Sequence, residues 1–457
     1  YRNNSSNTNC LMENKKTTAI ILAAGKGTRM KSELPKVLHP LAGRPMIQHL
    51  ISKLESINIK NIFTVVGPKM EAVIEAVSPH ATAVQNEALG TAHAVLAANH
   101  VVESTGSDVL ILFGADPLIT TTTINKMLER RRAADNPAIV VLGFRPPETK
   151  SYGRLIIKNK DTVECIVEAK EATKDQLKIQ LCNAGIMAID GAKLWSLLES
   201  VENNNRKGEY YLTDIVSIAQ SSGHNCVYVE GNPNELLGVD TKTDLAFAES
   251  YIQNELRNQA MDRGATLIDP GSVFFSYDTV LSPDVVVEPN VYFGPGVSVG
   301  PRTNIKAFCH LEATSIGADA TIGPFARLRG KSDVGDDVRV GNFVELKRVN
   351  MGSGSKAAHL TYLGDSKVGA DANIGAGTIT CNYDGFHKHK TTIGERAFVG
   401  SNSSLIAPVH IGSDTIIGAG STITKDVEND SLAISREKQK SVVGWPSRFR
   451  KTKVKKI

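Results

Sequence analysis

The chain has 457 residues, of which 41% are hydrophobic and only 5% aromatic, and its formal net charge is +4 at pH 7. This length exceeds what a single hydrophobic core usually supports, so we expect at least two domains. Six positive charges lie between Arg448 and Lys456, and without them the net charge becomes −2. This balance argues against nucleic-acid binding by the body of the protein, and we interpret residues 448–457 as a solvated basic tail.

The first 16 residues are rich in Asn, Ser and Lys, and we interpret them as a disordered extension. The sequence contains no apolar run of about 18 residues and no apolar leader segment, so we predict a cytoplasmic protein without stable membrane association. Its six cysteines are widely spaced and form no CxxC pair. This spacing favours reduced thiols over a disulfide framework or a zinc site.

Short β-branched runs alternate with helical patterns from residue 17 to residue 243. The strands are predicted at Thr17–Leu22, Asn61–Val66, Asp108–Phe113 and Ala138–Gly143, and the first helices at Met46–Ile57 and Met70–Val77. Strand-helix alternation predicts a Rossmann-like α/β domain that binds ligands at the carboxyl ends of its strands. Residues 244–262 follow with helical spacing and predict a linker helix.

A six-residue period fills the second half of the chain, over the predicted domain 263–447. Aliphatic residues recur at this interval from Leu281 to Leu311 and from Ile393 to Ile423. Six is neither the helical period nor the simple strand period, so it predicts a parallel β-helix of roughly eight coils between residues 281 and 428. The period is interrupted near residues 328–335, 347–367 and 381–392, where we expect functional groups.

A glycine-rich turn follows the first predicted strand. Gly25 and Gly27 allow backbone N–H groups to approach phosphate, while Lys26, Arg29 and Lys36 offer cations. The spacing is neither that of a P-loop nor that of a GxGxxG dinucleotide motif. By itself the turn therefore indicates a phosphate site without identifying the nucleotide.

A longer set of motifs is more specific. It comprises Leu22–Met30, Pro35–Leu38, Leu41–Met46, Gln85 with Leu89–Ala94, Tyr152–Arg154, Val167–Glu168, Asn183–Gly185 and Gly208–Asp214. This set resembles the sugar-nucleotide pyrophosphorylases. Together with the hexad domain, the chain resembles, over residues 17–447, the bacterial family of bifunctional enzymes that join a uridyltransferase to a left-handed β-helix acetyltransferase.

The resemblance implies roles for individual residues of the first domain. UTP and its product would contact Leu22, Ala23, Ala24, Gly25, Lys36, Gln85, Gly90, Thr91, Gly153, Glu168, Asn183 and Asp240. Arg29 and Lys36 would neutralise the phosphates, and Gln85 would contact the uracil together with Gly90 and Thr91. Gly153, Glu168 and Asn183 would hold the sugar. The implied chemistry is in-line attack of N-acetylglucosamine-1-phosphate on the α-phosphorus of UTP.

The predicted magnesium site departs from the pattern of the family. The family carries a metal-binding aspartate in Gly-Asp-x-Pro-Leu, but this chain has Ala115 at that position and Asp116 one residue later. In an extended segment a shift of one residue turns the side chain to the opposite face, so we expect Asp116 to reach Mg²⁺ only if the loop is distorted. Asp240 replaces the second family ligand, an asparagine, and offers a carboxylate that suits a hard cation.

The run His359–Asp365 carries the second predicted site. His359 can accept a proton from an attacking amine, and the resemblance makes it the general base of acetyl transfer from acetyl-CoA. For glucosamine-1-phosphate the resemblance implies Arg329, Lys347, Tyr362 and Asn373. For acetyl-CoA it implies Ala376, Asn382, Tyr383, Ser401, Ala419 and Arg436. Asn373, Asn382 and Tyr383 would also orient the sugar. His387 and His389, in cationic company, are interpreted as part of a solvated loop.

These observations predict a bifunctional enzyme that makes UDP-N-acetylglucosamine, with acetylation first. The resemblance also implies the partners, which are the small-molecule substrates and two further copies of the chain in a homotrimer. Two alternatives stay open. The uridyltransferase could be impaired by Ala115, which would leave only the acetyltransferase, or both domains could form a noncatalytic regulatory scaffold.

Overall fold

The computed structural model describes residues 16–102, 107–149 and 151–454. The predicted disordered extension therefore lies outside the described residues, apart from Lys16. The chain divides into two compact units, one ending at Asn254 and the other beginning at Glu255. Among the described residues, no helix has the length and apolar character needed to cross a membrane.

The first unit is built on a nine-stranded mixed sheet with the order β5-β4-β1-β6-β10-β7-β11-β9-β8. In chain order, the strands of this unit are β1 (Thr17–Leu22), β2 (Pro40–Leu41), β3 (Arg44–Pro45), β4 (Asn61–Val66), β5 (Ala81–Val84), β6 (Asp108–Phe113), β7 (Ile139–Phe144), β8 (Arg154–Asn159), β9 (Thr162–Val167), β10 (Cys182–Asp190) and β11 (Cys226–Glu230). Strands β2 and β3 form a separate ribbon. The predicted α/β class is confirmed, and β1, β4 and β6 have the predicted bounds.

Helices cover both faces of this sheet and bury two separate apolar clusters against it. They are α1 (Met46–Ser56), α2 (Glu71–Val77), α3 (Thr91–Leu96), α4 (Thr121–Arg131), α5 (Gly191–Glu199) and α6 (Asp214–Ser221). Short 3₁₀ turns occur at Thr28–Met30, Lys36–Leu38, Gln176–Lys178, Pro233–Glu235 and, in the second unit, Pro270–Ser272. A 21-residue helix, α7 (Lys242–Asp262), contains the predicted linker segment.

The second unit is a left-handed parallel β-helix whose short strands stack in three columns. The first column contains Thr266–Leu267, Val286–Val287, Asn304–Ile305, Thr321–Ile322, Arg339–Asn342, Lys356–His359, Asn373–Ile374, Phe398–Val399, Ile416–Ile417 and Leu432–Ala433. The second contains Tyr292–Phe293, His310–Leu311, Arg327–Arg329, Ile379–Cys381, Ser404–Ile406 and Thr422–Ile423. The third contains Val280–Leu281, Val297–Val299, Thr314–Ile316, Ser332–Val334, Thr391–Ile393 and Val409–Ile411, and Glu345–Met351 and Tyr362–Val368 each run from the second column into the third.

Most strands of the β-helix send one or more aliphatic side chains into a single buried core, as the six-residue period predicts. The first predicted interruption is wrong, because Leu328, Val334 and Val340 keep the interval of six and are all buried. The second is only a shortening, because the interval from Leu346 to the buried Met351 is five residues. Coils of 17 and of 18 residues therefore both keep the core filled.

The third predicted interruption is a true insertion. Between the strands Ile379–Cys381 and Thr391–Ile393, residues 382–390 leave the coil as a loop closed by the isolated bridge between Tyr383 and Lys388. The insertion therefore adds polar and cationic side chains to the surface without removing a coil. The last described element is α8 (Trp445–Val454), which includes part of the predicted basic tail.

Candidate active sites

The first candidate site lies at the carboxyl edge of the mixed sheet. Strand β1 pairs with β6 in parallel, so the glycine-rich loop after Leu22 lies beside the turn after Phe113. The loop borders a cavity of about 300 Å³. Of the predicted UTP contacts, Leu22, Ala23, Ala24, Gly25, Lys36, Gln85, Gly90 and Thr91 all line it.

Gly90 and Thr91, at the beginning of α3, line this cavity and contact a segment that is distant in sequence. Gly90 has φ +120°, and a Cβ there would lie 2.4 Å from the carbonyl oxygen of Tyr210. Only glycine allows this approach. The Thr91 hydroxyl accepts a hydrogen bond of 2.9 Å from the Leu212 N–H, so the loop before α3 is fixed against the segment before α6.

A second cavity of about 350 Å³ adjoins the first, since Lys36, Thr91, Phe113 and Ala115 line both. Strand β10 runs antiparallel to β6, which brings the beginning of β10 to the same edge as the carboxyl end of β6. The predicted sugar residues Gly153, Glu168 and Asn183 line this second cavity. Burial raises the pKa of the Glu168 carboxyl, although a 3.2 Å hydrogen bond from the Thr213 hydroxyl opposes the shift.

Asp116 lines the second cavity together with Asp240 and Arg29. Asp116 was expected to reach the metal site only if the loop departed from an extended conformation, and the backbone does form a turn at this point. The Asp116 N–H bonds to the Phe113 carbonyl at 3.1 Å and closes a turn. The Val239 N–H bonds in turn to the Ala115 carbonyl at 3.0 Å, which ties this turn to the segment that carries Asp240.

The two carboxylates of this cavity have different electrostatic environments. Asp240 Oδ1 lies 2.9 Å from Lys36 Nζ and 3.0 Å from the Arg29 guanidinium. Asp116 is buried, and this burial raises its pKa to about 7; Lys36 opposes the shift and the negative charge of Asp240 adds to it. A further positive charge would therefore stabilise ionised Asp116.

The donor set fits a magnesium ion that takes most of its ligands from substrate and water. Asp116 and Asp240 offer oxygen ligands at one cavity, and no group of three or more His, Cys, Asp or Glu residues able to hold a metal occurs in the described part of the chain. Mg²⁺ is usually bound by one or two carboxylates plus phosphate oxygens and waters. The two carboxylates satisfy that requirement.

The second candidate site follows one corner of the β-helix. The strands Arg339–Asn342 and Lys356–His359 pair in register, so Asn342 and His359 stack on adjacent coils. In the same register, Ala376, Ser401 and Ala419 continue the corner on the next three coils. We call these five positions the corner column. Above His359 the column consists only of small side chains, and it ends where the Arg436 guanidinium donates to the Ala419 carbonyl.

Cationic side chains form a patch on the neighbouring face. Arg329 and Lys347 stack on adjacent coils, and Arg329 Nε donates to Glu345 Oε1 at 2.6 Å. Lys388 lies against Lys347, and together with Arg329 and Arg348 it lowers the pKa of the Lys347 ammonium. Four cations so close together favour an anionic ligand.

A polar network fixes the base of the inserted loop. The Asn382 amide donates to Asp365, whose carboxylate is also held by Arg348. Arg348 and Asn382 hold the pKa of the Asp365 carboxyl below its usual value. Asn382 is thereby held in one orientation beside the cationic patch, whereas Tyr383 is largely exposed.

The chain does not bring every predicted residue of this site together. Asn373 lies at the opposite end of its face from Ala376, which belongs to the corner column. Asn342 and Lys388 are two further polar residues of this site that were not predicted from the sequence. Asn342 lies one coil, or 17 residues, before His359, and this spacing is the signal that could have identified it. Lys388 lies between His387 and His389 in the segment interpreted as a solvated loop, where a cluster of cations is a signal for phosphate.

Two family models match the chain. The model of the MobA-like NTP transferase domain matches residues 19–163, and the model of the bacterial transferase hexapeptide (six repeats) matches residues 390–425. The first contains the glycine-rich loop and the Asp116 turn. The second contains Ser401 and Ala419 of the corner column.

Curated relatives match over nearly the whole length of both chains. The bifunctional protein GlmU of Paramagnetospirillum magneticum is 51% identical and that of Rhodospirillum rubrum 55% identical, with at least 95% of this chain and 97% of each relative covered. The chain belongs to the GlmU family. The GlmU protein of Zymomonas mobilis is 45% identical over 96% of this chain and 98% of its own.

Membership of the GlmU family confirms the predicted bifunctional enzyme of UDP-N-acetylglucosamine synthesis. One unit is a nucleotidyltransferase, and the other is a hexapeptide acetyltransferase. The noncatalytic scaffold is thereby set aside.

Proposed function

We propose that the paired cavities of the first unit transfer uridylyl from UTP to N-acetylglucosamine-1-phosphate. The observation that carries this assignment is that Lys36 lines both cavities, so one cation can contact nucleotide phosphate and sugar phosphate at once. A phosphate oxygen of the sugar attacks the α-phosphorus of UTP, the bond to the β-phosphate oxygen breaks, and pyrophosphate leaves. Arg29 and Lys36 orient the phosphates and balance their charge.

In this proposal Asp116 and Asp240 hold the magnesium ion. When bound, the ion neutralises triphosphate charge and helps to align the α-phosphorus. Lys36 and Arg29 pair with the Asp240 carboxylate in the free protein. When substrate binds, they release this carboxylate and pair with the substrate phosphates instead. Glu168 and Asn183 contact the sugar together with Gly153, where a Cβ would lie 3.2 Å from the Ile166 Cγ2 methyl.

In the second unit, His359 is the general base of acetyl transfer. Its Nδ1 lies 2.6 Å from Asn342 Oδ1. Because that oxygen only accepts, Nδ1 carries a proton and Nε2 is free to take one from the amine of glucosamine-1-phosphate. The amine nitrogen forms a bond to the thioester carbon, the carbon–sulfur bond breaks, and coenzyme A leaves.

The surrounding residues match the needs of that reaction. Arg329, Lys347, Tyr362 and Lys388 hold the sugar phosphate, Asn382 and Tyr383 contact the reacting groups, and acetyl-CoA lies along Ala376, Ser401 and Ala419 up to Arg436. Asn373, which lies away from the corner column, serves the site of a neighbouring copy. In the homotrimer that we propose, each acetyl site therefore uses residues of more than one chain. The free cysteines at 165, 182, 226, 309 and 381 fit a cytoplasmic setting.

Separate assays of the two half-reactions test this two-site assignment. His359→Ala should lower acetyl transfer by at least about 100-fold, the contribution expected of a general base, and leave pyrophosphate release from UTP unchanged. Lys36→Ala should lower pyrophosphate release from UTP and leave acetyl transfer unchanged. Loss of both activities in either folded variant would contradict the separation of the sites.

A further inference from the structure

Gln85 has an unusually constrained side-chain amide. The residue follows β5, lies against the nucleotide cavity and is only 6% exposed. Its Nε2 donates to the Gly90 carbonyl at 3.1 Å and to His93 Nδ1, also at 3.1 Å. An amide nitrogen has two hydrogens, so both are used within the protein.

This arrangement determines which group the amide offers to a ligand. With its nitrogen held by two acceptors, Gln85 has only Oε1 left, and no residue in the described part of the chain donates to that oxygen. Reversing the amide would place Oε1 against the Gly90 carbonyl, which can only accept, so the nitrogen stays on this side and its second hydrogen is taken by His93 Nδ1. The side chain is therefore an acceptor in this cavity, and His93 is one of the two groups that keep it so.

A fixed acceptor discriminates between the two common pyrimidines. Uracil carries a hydrogen on N3, which can donate to an amide oxygen. Cytosine has a bare nitrogen at N3, so two acceptors would face each other and lose their hydrogen bonds to water. An amide that could reverse freely would accept either base.

We propose that His93 is a specificity-determining positioning residue that locks the Gln85 amide and so makes the enzyme prefer UTP to CTP. The inference rests on the proposed uridylyl transfer and assigns to His93 no contact with the substrate. His93 lies on α3 one turn after Gly90. Its ring faces that of Tyr210 with centroids 6.5 Å apart, which helps to hold the imidazole beside Gln85.

The test compares kcat/KM for UTP with that for CTP, measured by pyrophosphate release from the full chain with N-acetylglucosamine-1-phosphate. His93→Leu removes the acceptor and should lower the UTP/CTP ratio at least about tenfold, the effect of one hydrogen bond. His93→Gln retains an acceptor and should keep most of the ratio. The exposed His100 provides a matched control, and His100→Leu should leave the ratio unchanged.

The ratio separates this role from a merely structural one. A general loosening of the cavity lowers kcat/KM for both nucleotides by the same factor and leaves the ratio intact, so an unchanged ratio in active His93→Leu enzyme would overturn the inference alone. If the unaltered chain released no pyrophosphate from UTP, the proposed uridylyl transfer itself would be overturned. The wild-type assay therefore distinguishes the two failures.

Discussion

Asp116 experiences opposing influences from burial and charge. Its carboxylate lies so close to Gly238 that a Cβ there would come within 3.0 Å of Oδ1. Burial disfavours the ionised form, Lys36 favours it, and the net result is a pKa raised to about 7. A divalent cation and the ionised carboxylate would therefore stabilise each other, which makes this residue the sensitive point of the metal site.

The metal assignment predicts opposite effects at two adjacent positions. Asp116→Asn removes the charge but keeps the shape, and should raise the magnesium concentration needed for half-maximal pyrophosphate release about tenfold or more. Ala115→Asp adds a carboxylate to a residue that lines both cavities, and should lower that concentration. A magnesium titration checks both. Activity only in the Ala115→Asp variant would indicate that the natural chain is chiefly an acetyltransferase.

Asn342 should act on acetyl transfer through the orientation of His359. Asn342→Ala removes the acceptor for Nδ1 and should lower kcat about 10- to 100-fold, with little change in KM, which is less than the loss of the general base itself because His359 remains. Asn342→Asp favours the imidazolium and should move the acidic limb of the pH–rate profile to higher pH. Asn350→Ala, on the exposed part of the next strand, is the control. A profile that does not move in Asn342→Asp would contradict the role.

At the scale of the elements, the corner column depends on how closely adjacent coils stack. The strands Arg339–Asn342 and Lys356–His359 approach so tightly that a Cβ on Gly341 would lie 1.8 Å from the Ala358 carbonyl oxygen. Any larger residue at 341 must push the two strands apart. The glycine therefore keeps Asn342 and His359 in register, which connects coil packing with the general base.

Gly341→Ala should thus weaken both stability and acetyl transfer. The clash is with backbone, so it cannot be relieved by a side-chain rotation, and we expect a loss of about 1–3 kcal/mol or more in the free energy of unfolding of the β-helix. Gly271→Ala, where the nearest atom would be 3.6 Å away, should have little effect. Thermal unfolding and an acetyl-transfer assay of both variants test this. Equal behaviour of the two would contradict the packing argument.

At the scale of the whole molecule, regular periods were predictable and local departures were not. The strands from Thr17 and from Asp108 have the predicted bounds because buried parallel strands consist of continuous β-branched and aliphatic runs. The five-residue interval before Met351 led to the prediction of an interruption in the β-helix. The hexad pattern alone does not show that a coil can lose one corner residue and still fill its core. The turn that returns Asp116 to the cavity depends on the contact with Val239, which is distant in sequence.

The two compact units should respond differently to acid, because His49 lies buried in the first. Burial, with the nearby charges of Arg44 and Lys53, lowers the pKa of His49 to about 4, although its Nε2 is bonded to the Leu41 carbonyl at 2.7 Å. The unfolded chain, with a histidine pKa near 6.5, then binds more protons than the folded unit between about pH 4 and 6.5. The free energy of unfolding of the first unit should therefore fall by up to about 3 kcal/mol as the pH decreases through this window.

His49→Gln keeps a donor for the Leu41 carbonyl but cannot titrate, so the variant should lose this part of the pH dependence. The measurement is the melting temperature of the first unit from pH 7 to pH 4, for the wild type, for His49→Gln and for the exposed control His100→Gln. The His49 variant should gain stability relative to the wild type as the pH falls, while the control follows the wild type. Parallel curves for all three chains would mean that His49 can accept its proton without loss of packing, and would remove the buried histidine as a source of acid sensitivity.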